Sequence, residues 1–172
     1  SLAVSVPALR AVGGIPPLPS GEDRAFVRAL WLMDRRIRHD PSILVSVSGR
    51  LEGRASGGMA DTMRRRIVQQ DELTDEQVEP AADAWRRYGL RRRVRDVWSG
   101  HRFANPRLAD DLRVADGVLE DAITARSFGT AWAMLEVQSP VLARRRVAFT
   151  ALPREIAAAE ALLGQGEMAA AD

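Results

Sequence analysis

The chain has 172 residues, no cysteine and a formal net charge of only +2. This length suits one domain with an extension, and the lack of cysteine excludes disulfides, thiolate zinc sites, iron–sulfur clusters and a cysteine nucleophile. All 25 basic residues are arginine, which also excludes a P-loop lysine and a Schiff-base lysine. No apolar run approaches the roughly 20 residues that a membrane-spanning helix needs.

Residues 1–21 predict an extended N-terminal arm. The stretch contains no acidic residue and one arginine, and its second half, AVGGIPPLPSG, holds three prolines that oppose a long helix. An acid-poor start is typical of the mature end that remains after a targeting segment is removed. A remnant of cloning or a choice of numbering would give the same start, so the composition leaves these explanations open.

Residues 22–73 predict a helical extension of the main domain. Ser20 and Asp23 have the spacing of a capping box, which favours a helix start between them. This helix is predicted to end near His39. Its apolar face consists of Phe26, Leu30, Met33 and Ile37.

A glycine-rich loop, GRLEGRASGG at 49–58, separates this helix from the next one, which is predicted from Met59 onward. Before the loop, residues 43–47 fit either a short strand or a helical turn. The loop lacks the lysine of a P-loop and the spacing of a dinucleotide-binding turn. It therefore predicts a mobile connection and not a phosphate cradle.

Residues 74–164 predict an all-α domain, an array of short antiparallel helical hairpins of the tetratricopeptide-like, superhelical kind. Thr74 and Gln77 form a second possible capping box. A helix that begins at Pro80 is predicted to end at Gly89, and another is predicted over 90–100. Each helix is too short to be stable alone, so stacked neighbours are expected to bury the apolar stripes.

The second half of this domain continues the same pattern. One helical stretch is predicted over 105–123, and Ser127 is predicted to cap the helix that follows it. A short helix over 139–147 and a last helix that ends at Gly164 complete the array. Residues 165–172 are expected to form a flexible tail.

Apolar spacing predicts the core, and the arginine clusters are left for contacts with partners. The candidate core residues are Trp85, Phe128, Trp132 and Leu135. Arginine covers apolar surface with its stem and binds carboxylates with its planar head group. The candidate partner-interface residues are Arg64, Arg65, Arg91, Arg92, Arg93, Arg144, Arg145, Arg146 and Trp98.

No residue pattern indicates catalysis, a cofactor or a metal ion. His39 and His101 are the only histidines, and each lies at the predicted end of an element. Neighbouring acids such as Asp110 and Asp111 point to different sides of a helix, so they do not form a catalytic pair. We therefore expect no catalytic residue, no cofactor and no metal site, and an enzyme with an unrecognised site is the least favoured alternative.

Five stretches of the main domain carry a resemblance to a known family. They are TDEQ at 74–77, AWRRYG at 84–89, LRRRVRDVW at 90–98, VLEDAITARSFGTAWAMLE at 118–136 and ALPREIAAAEALLG at 151–164. In these stretches the chain resembles subunit Va of cytochrome c oxidase, an all-helical subunit of the mitochondrial respiratory complex. The resemblance implies a non-catalytic, peripheral subunit on the matrix side of the inner membrane, which contacts other subunits and takes no small-molecule substrate.

The arginine clusters leave a second function open, that of an arginine-rich helical protein bound to RNA, to the ribosome or to another nucleic acid. Arginine is a common phosphate ligand in such proteins. Aromatic residues make up 5% of the chain and do not alternate with the arginine runs, which argues against a platform for stacking bases. The sequence therefore favours the protein–protein function.

Overall fold

The computed structural model describes residues 2–40, 42–53, 57–69, 73–101 and 107–169, with side chains described up to Gln165. The protein is all-α, as the sequence predicts: eight α-helices and no strand occur within these ranges. The chain divides into two compact units. The first consists of Ser1–Gln70 and Ser127–Thr130, and the second consists of Asp71–Arg126 and Ala131–Asp172.

The first unit begins with a short helix, α1, at Val6–Ala11. The prediction of an extended arm was wrong here, because Ser5 caps the helix through its hydroxyl and Pro7 occupies a position in the first turn where its missing N–H is not needed. The Ala8 N–H lies 3.4 Å from the Ser5 hydroxyl oxygen. The proline-rich part that follows, at residues 15–19, is not helical.

Helix α2 spans Glu22–Leu32, five residues short of the predicted face residue Ile37. Its N-cap is Gly21, without a side-chain cap, so the predicted capping box is wrong. The helix ends because Asp34 adopts a left-handed conformation, with φ of 53°. The Arg35 N–H then donates to the Leu30 carbonyl at 3.0 Å, which closes a Schellman motif.

The rest of the first unit contains one more helix, α3, at Met59–Val68, which confirms the helix predicted from Met59. The run 43–47 forms neither the strand nor the helical turn that its composition left open. Within the glycine-rich loop, residues 54–56 lie outside the described residues.

The second unit is built around α4, an uninterrupted helix at Ala81–Trp98 that packs against α5, α6 and α8. The predicted break at Gly89 was wrong, because Gly89 does not adopt the left-handed conformation that ends a helix and the residues beyond it, Leu90 and Val94, are buried. Both ends of the helix are held by other parts of the chain. Glu155 accepts the Ala81 N–H at 3.0 Å, and the Trp98 indole N–H donates to the Ala125 carbonyl at 3.0 Å. The second predicted capping box was also wrong: Thr74 donates its hydroxyl proton to the Val147 carbonyl instead.

Replacing Gly89 with alanine should stabilise the protein by about 1 kcal/mol. Gly89 is exposed, its φ is not positive, and a Cβ atom there would meet nothing within 4 Å. Alanine loses less backbone entropy than glycine when a helix forms. Urea unfolding of the full chain measures the change, and an unchanged or lower free energy of unfolding would contradict it.

Two short helices, α5 at Arg107–Leu112 and α6 at Asp116–Ile123, occupy the stretch that was predicted as one helix. The predicted start of that helix, at 105 and 106, lies outside the described residues. The break follows from Arg113, whose φ of 52° ends α5 in a left-handed turn. Helix α7 then spans Phe128–Gln138.

After α7 the chain makes 3₁₀ turns at Pro140–Leu142 and Phe149–Ala151, and it ends in α8 at Leu152–Ala169. The short helix predicted over 139–147 does not form beyond the 3₁₀ turn, because the Val147 carbonyl accepts the Thr74 N–H and hydroxyl and Ala148 pairs with Leu73 in an isolated antiparallel bridge. Helix α8 continues past Gly164, so the predicted tail is helical as far as residue 169. Residues 170–172 lie outside the described residues.

The predicted core residues divide into three that are buried and one that is not. Phe128, Trp132 and Leu135 are buried on α7. Trp85 is 45% exposed, so its assignment to the core was wrong. On α4 the buried positions are instead Ala81, Arg87, Leu90 and Val94. This face leaves Trp85 on the solvent side of the helix.

Candidate partner interface

The three arginines of the 144–146 cluster are bound to the segment that leads into α4 and to the first turn of that helix. Arg145 donates to Asp83 at 2.9 and 2.6 Å, and the Arg146 guanidinium donates to the Thr74 carbonyl at 2.9 Å. Arg144 hydrogen-bonds the side chain of Gln77. These arginines therefore join residues 144–146 to residues 74–83 within the second unit, and they do not form a free basic patch.

The 91–93 cluster spreads around α4, as three successive helical residues must. The Arg91 guanidinium lies 5.7 Å from the centre of the Trp132 ring, a cation–π distance. Arg93 forms an ion pair with Asp111 of α5 at 2.7 Å. Arg92 is exposed. Of this cluster, only Arg92 is both exposed and without a described contact to another side chain.

Arg64 and Arg65 lie on α3 in the first unit, so the structure does not group them with the other two clusters. Arg64 binds Asp61, one turn earlier on the same helix. Asp61 also accepts the Gly57 N–H at 2.7 Å, and this bond, followed by the Arg64 guanidinium, lowers the pKa of the Asp61 carboxyl. Both arginines are exposed, but the Arg64 charge already has a partner.

Trp98, the remaining candidate for the interface, is half-buried. Its indole N–H donates to the Ala125 carbonyl at the corner between α6 and α7. A tryptophan that is anchored in this way stabilises the end of α4, and most of its surface is not available to a partner.

The exposed residues of α4 form the best candidate for a partner interface. Trp85 is 45% exposed and Tyr88, one turn later, is 66% exposed. Arg92 is exposed one further turn along, so the three side chains share one side of the helix at spacings of three and four residues. We call Trp85, Tyr88 and Arg92 the aromatic face.

The aromatic face has the composition of an interface anchor. Tryptophan, tyrosine and arginine are the residue types that contribute most to binding energy in protein–protein interfaces. A Trp or Tyr side chain that stays exposed to water does not gain the free energy of burial, which for these two residues is among the largest of any residue. The sequence signal was Trp-x-x-Tyr at helical spacing, which apolar periodicity alone assigns to the core.

The sequence did not indicate that one further arginine, Arg87, would be buried. Its side chain is 8% exposed, its Nε and Nη2 donate to the two carboxylate oxygens of Glu79 at 2.8 and 2.9 Å, and its Nη2 also donates to the Leu142 carbonyl at 2.7 Å. Glu136 of α7 lies 3.3 Å from Nη1. This buried cluster joins the lead-in of α4, α7 and the 3₁₀ turn at Pro140–Leu142.

Comparisons with known proteins place the chain in no family: no family model, curated protein or solved structure matches it. Within the described ranges, none of the helices combines the length and the apolar character needed to cross a bilayer.

Proposed function

We propose that this protein is a non-catalytic, peripheral subunit of mitochondrial cytochrome c oxidase, on the matrix side of the inner membrane, and that it acts through protein–protein contacts. The proposal starts from the resemblance of residues 74–164 to subunit Va. The aromatic face of α4 is the observation that supports it most, because Trp85 and Tyr88 belong to a stretch, AWRRYG, that carries the resemblance.

The aromatic face favours a protein partner for a physical reason. Exposed Trp and Tyr side chains present large apolar areas with a polar group at one end, and they lose little conformational entropy when they are buried by a partner. Arg92 adds a guanidinium that can bind a carboxylate at the edge of such a contact. A second subunit that covers this face would bury the apolar surface that α4 leaves in water.

The contacts of the arginine clusters favour protein over nucleic acid as the partner. Arg93, Arg145 and Arg64 are each paired with an aspartate, and Arg146 is bound to a backbone carbonyl. A phosphate would have to displace these bonds before it could bind. RNA binding by the clusters is therefore the weaker alternative.

Copurification tests the proposal directly. The native protein, captured with an antibody from detergent-solubilised mitochondria, should bring haem absorbance of the oxidase with it, and ribosomal RNA should be absent. Retention of RNA that falls steeply between low and moderate salt would instead favour the nucleic-acid alternative. Capture of neither haem nor RNA would contradict the respiratory assignment.

The double variant Trp85→Ala, Tyr88→Ala should bind the oxidase much more weakly while it keeps its fold. We expect the haem retained on capture to fall at least about tenfold, since truncation of a central aromatic anchor commonly weakens binding that far. Val137→Ala is the matched control, because Val137 is 81% exposed on α7 and lies outside the aromatic face. Equal retention by the double variant and the control, with unchanged circular dichroism, would remove the aromatic face from the interface.

A further inference from the structure

A charged cleft of about 680 Å³ lies in the second unit, apart from the aromatic face. One wall is a stripe of α4 formed by Arg86, Gly89, Leu90 and Arg93. The opposite wall is the end of α5 with Arg113, and Pro140 and Val141 of the 3₁₀ turn complete the lining. A volume of this size lies within the range of sites that hold small ligands or short peptide segments.

The charges of the cleft are mixed in sign. Three arginines and two aspartates, Asp110 and Asp111, line it, so the arginines exceed the aspartates by a single charge. Arg93 is already neutralised by Asp111 at 2.7 Å. A polyanion would therefore meet at most a small positive excess, together with the repulsion of Asp110. A ligand with both a negative and a positive group complements these walls better.

Two opposite charges of the cleft remain unpaired. Within the part of the chain that the structure describes, neither the Asp110 carboxylate nor the Arg113 guanidinium has an ion-pair partner. Arg86 is only weakly held, 3.5 Å from Asp83, because Asp83 accepts closer bonds from Arg145. The cleft thus presents one free acid and two available arginines around an apolar floor that includes the buried Leu90.

The left-handed backbone at Arg113 favours glycine, so the stability of the fold does not by itself explain an arginine at this position. Arg113 closes α5 in a Schellman motif, in which the Val114 N–H donates to the Ala109 carbonyl at 3.1 Å. The corresponding left-handed residues after α1 and α4 are Gly13 and Gly100, as this position favours. Among the described residues, Asp34 is the other non-glycine residue with a positive φ. Its carboxylate binds two backbone N–H groups at the start of α7.

We propose that this cleft binds a segment of a partner polypeptide that carries an acidic and a basic side chain close together. The acidic side chain binds Arg113 and Arg86, the basic one binds Asp110, and an apolar residue between them covers Leu90. The inference rests on the proposed function only in that the protein acts through protein contacts. It adds a second contact, separate from the aromatic face, and gives the chemistry of what it binds.

Short peptides test this site on the purified full chain. Three probes are compared by amide chemical shifts in NMR: the capped peptide Ala-Glu-Leu-Arg-Ala, the same peptide with glutamine in place of arginine, and inorganic tripolyphosphate. We expect the first to shift the amides of the cleft walls and to bind more tightly than the other two. Tighter binding of tripolyphosphate would overturn the proposal in favour of an anion site, and no binding by the first peptide would overturn it outright.

Arg113→Gly separates binding from folding. Glycine suits the left-handed position better than arginine, so the melting temperature should stay the same or rise. Binding of the mixed-charge peptide should weaken at least about tenfold, the size expected when a charge-assisted hydrogen bond is lost. Arg154→Ala, on an exposed arginine outside the cleft, is the control and should leave binding unchanged.

Asp110→Asn gives a second and independent readout. This variant should bind the two peptides equally, because it removes the group that distinguishes arginine from glutamine in the probe. Unchanged peptide binding by Arg113→Gly, or a preference kept by Asp110→Asn, would contradict the site. Both measurements use the isolated protein, so their results do not depend on the outcome of the copurification with the oxidase.

Discussion

Arg87→Met should destabilise the protein by about 3–5 kcal/mol, the range measured when one partner of a buried ion pair is removed. Methionine fills much of the volume but leaves the Glu79 carboxylate, 8% exposed, without the guanidinium that binds both of its oxygens. It also leaves the Leu142 carbonyl without its donor. Urea unfolding of the full chain, followed by circular dichroism, measures the loss.

Two variants show whether the loss comes from the unpaired charge. Glu79→Gln in the Arg87→Met background should recover about 1 kcal/mol or more, because neighbouring groups of one network are coupled by up to a few kcal/mol. Arg86→Met, at an exposed neighbouring position, should change the stability by less than about 1 kcal/mol. Simple addition of the two single effects in the double variant would show that the charge is not the cause.

Gly129→Ala should destabilise the first unit by roughly 3 kcal/mol, at the upper end of the range for overpacking, because the clash is with backbone. A Cβ atom at residue 129 would lie 2.1 Å from the Trp31 carbonyl oxygen and 2.8 Å from the Leu32 Cα. Neither atom can move without displacing the end of α2. Displacement would also break the bonds from the Phe128 and Gly129 N–H groups to Asp34, at 2.7 and 2.8 Å.

Gly117→Ala is the matched control for this prediction. Gly117 lies in helix α6, and a Cβ atom there would meet nothing within 4 Å. The control should therefore be neutral or stabilising by up to about 1 kcal/mol, as expected from helix propensity. If Gly129→Ala behaves like Gly117→Ala in urea unfolding, the close approach between the start of α7 and the end of α2 does not occur in solution.

The features that the sequence predicts correctly depend on nearby residues. Ser127 accepts the Thr130 N–H at 3.2 Å and so caps α7 as expected, because an N-cap needs only residues within one turn. The burial of Phe128, Trp132 and Leu135 follows from their helical spacing in a stretch with few polar residues. The all-α class follows from the same kind of local pattern, while the hairpin array stays a prediction.

The features that the sequence does not predict depend on distant partners. On α4, Arg87 is buried while Trp85, the predicted core residue, is exposed, because Glu79 and Glu136 together make the burial of an arginine favourable. Glu136 lies 49 residues away from Arg87, so no local pattern indicates the pair. Likewise, the groups that bind Arg144, Arg145 and Arg146 lie 62 to 72 residues earlier in the chain, so the sequence leaves these arginines as candidates for a partner interface.

The bond between Asp34 and the start of α7 has a consequence for the order in which the chain can fold. The carboxylate and the N–H groups that it binds are 94 and 95 residues apart. During synthesis, residues 1–70 therefore emerge long before Ser127–Thr130, the four residues that complete their packing. A nascent chain or a fragment that ends before residue 127 leaves α2 without this contact, so the N-terminal unit is expected to become protease-resistant only after α7 has appeared.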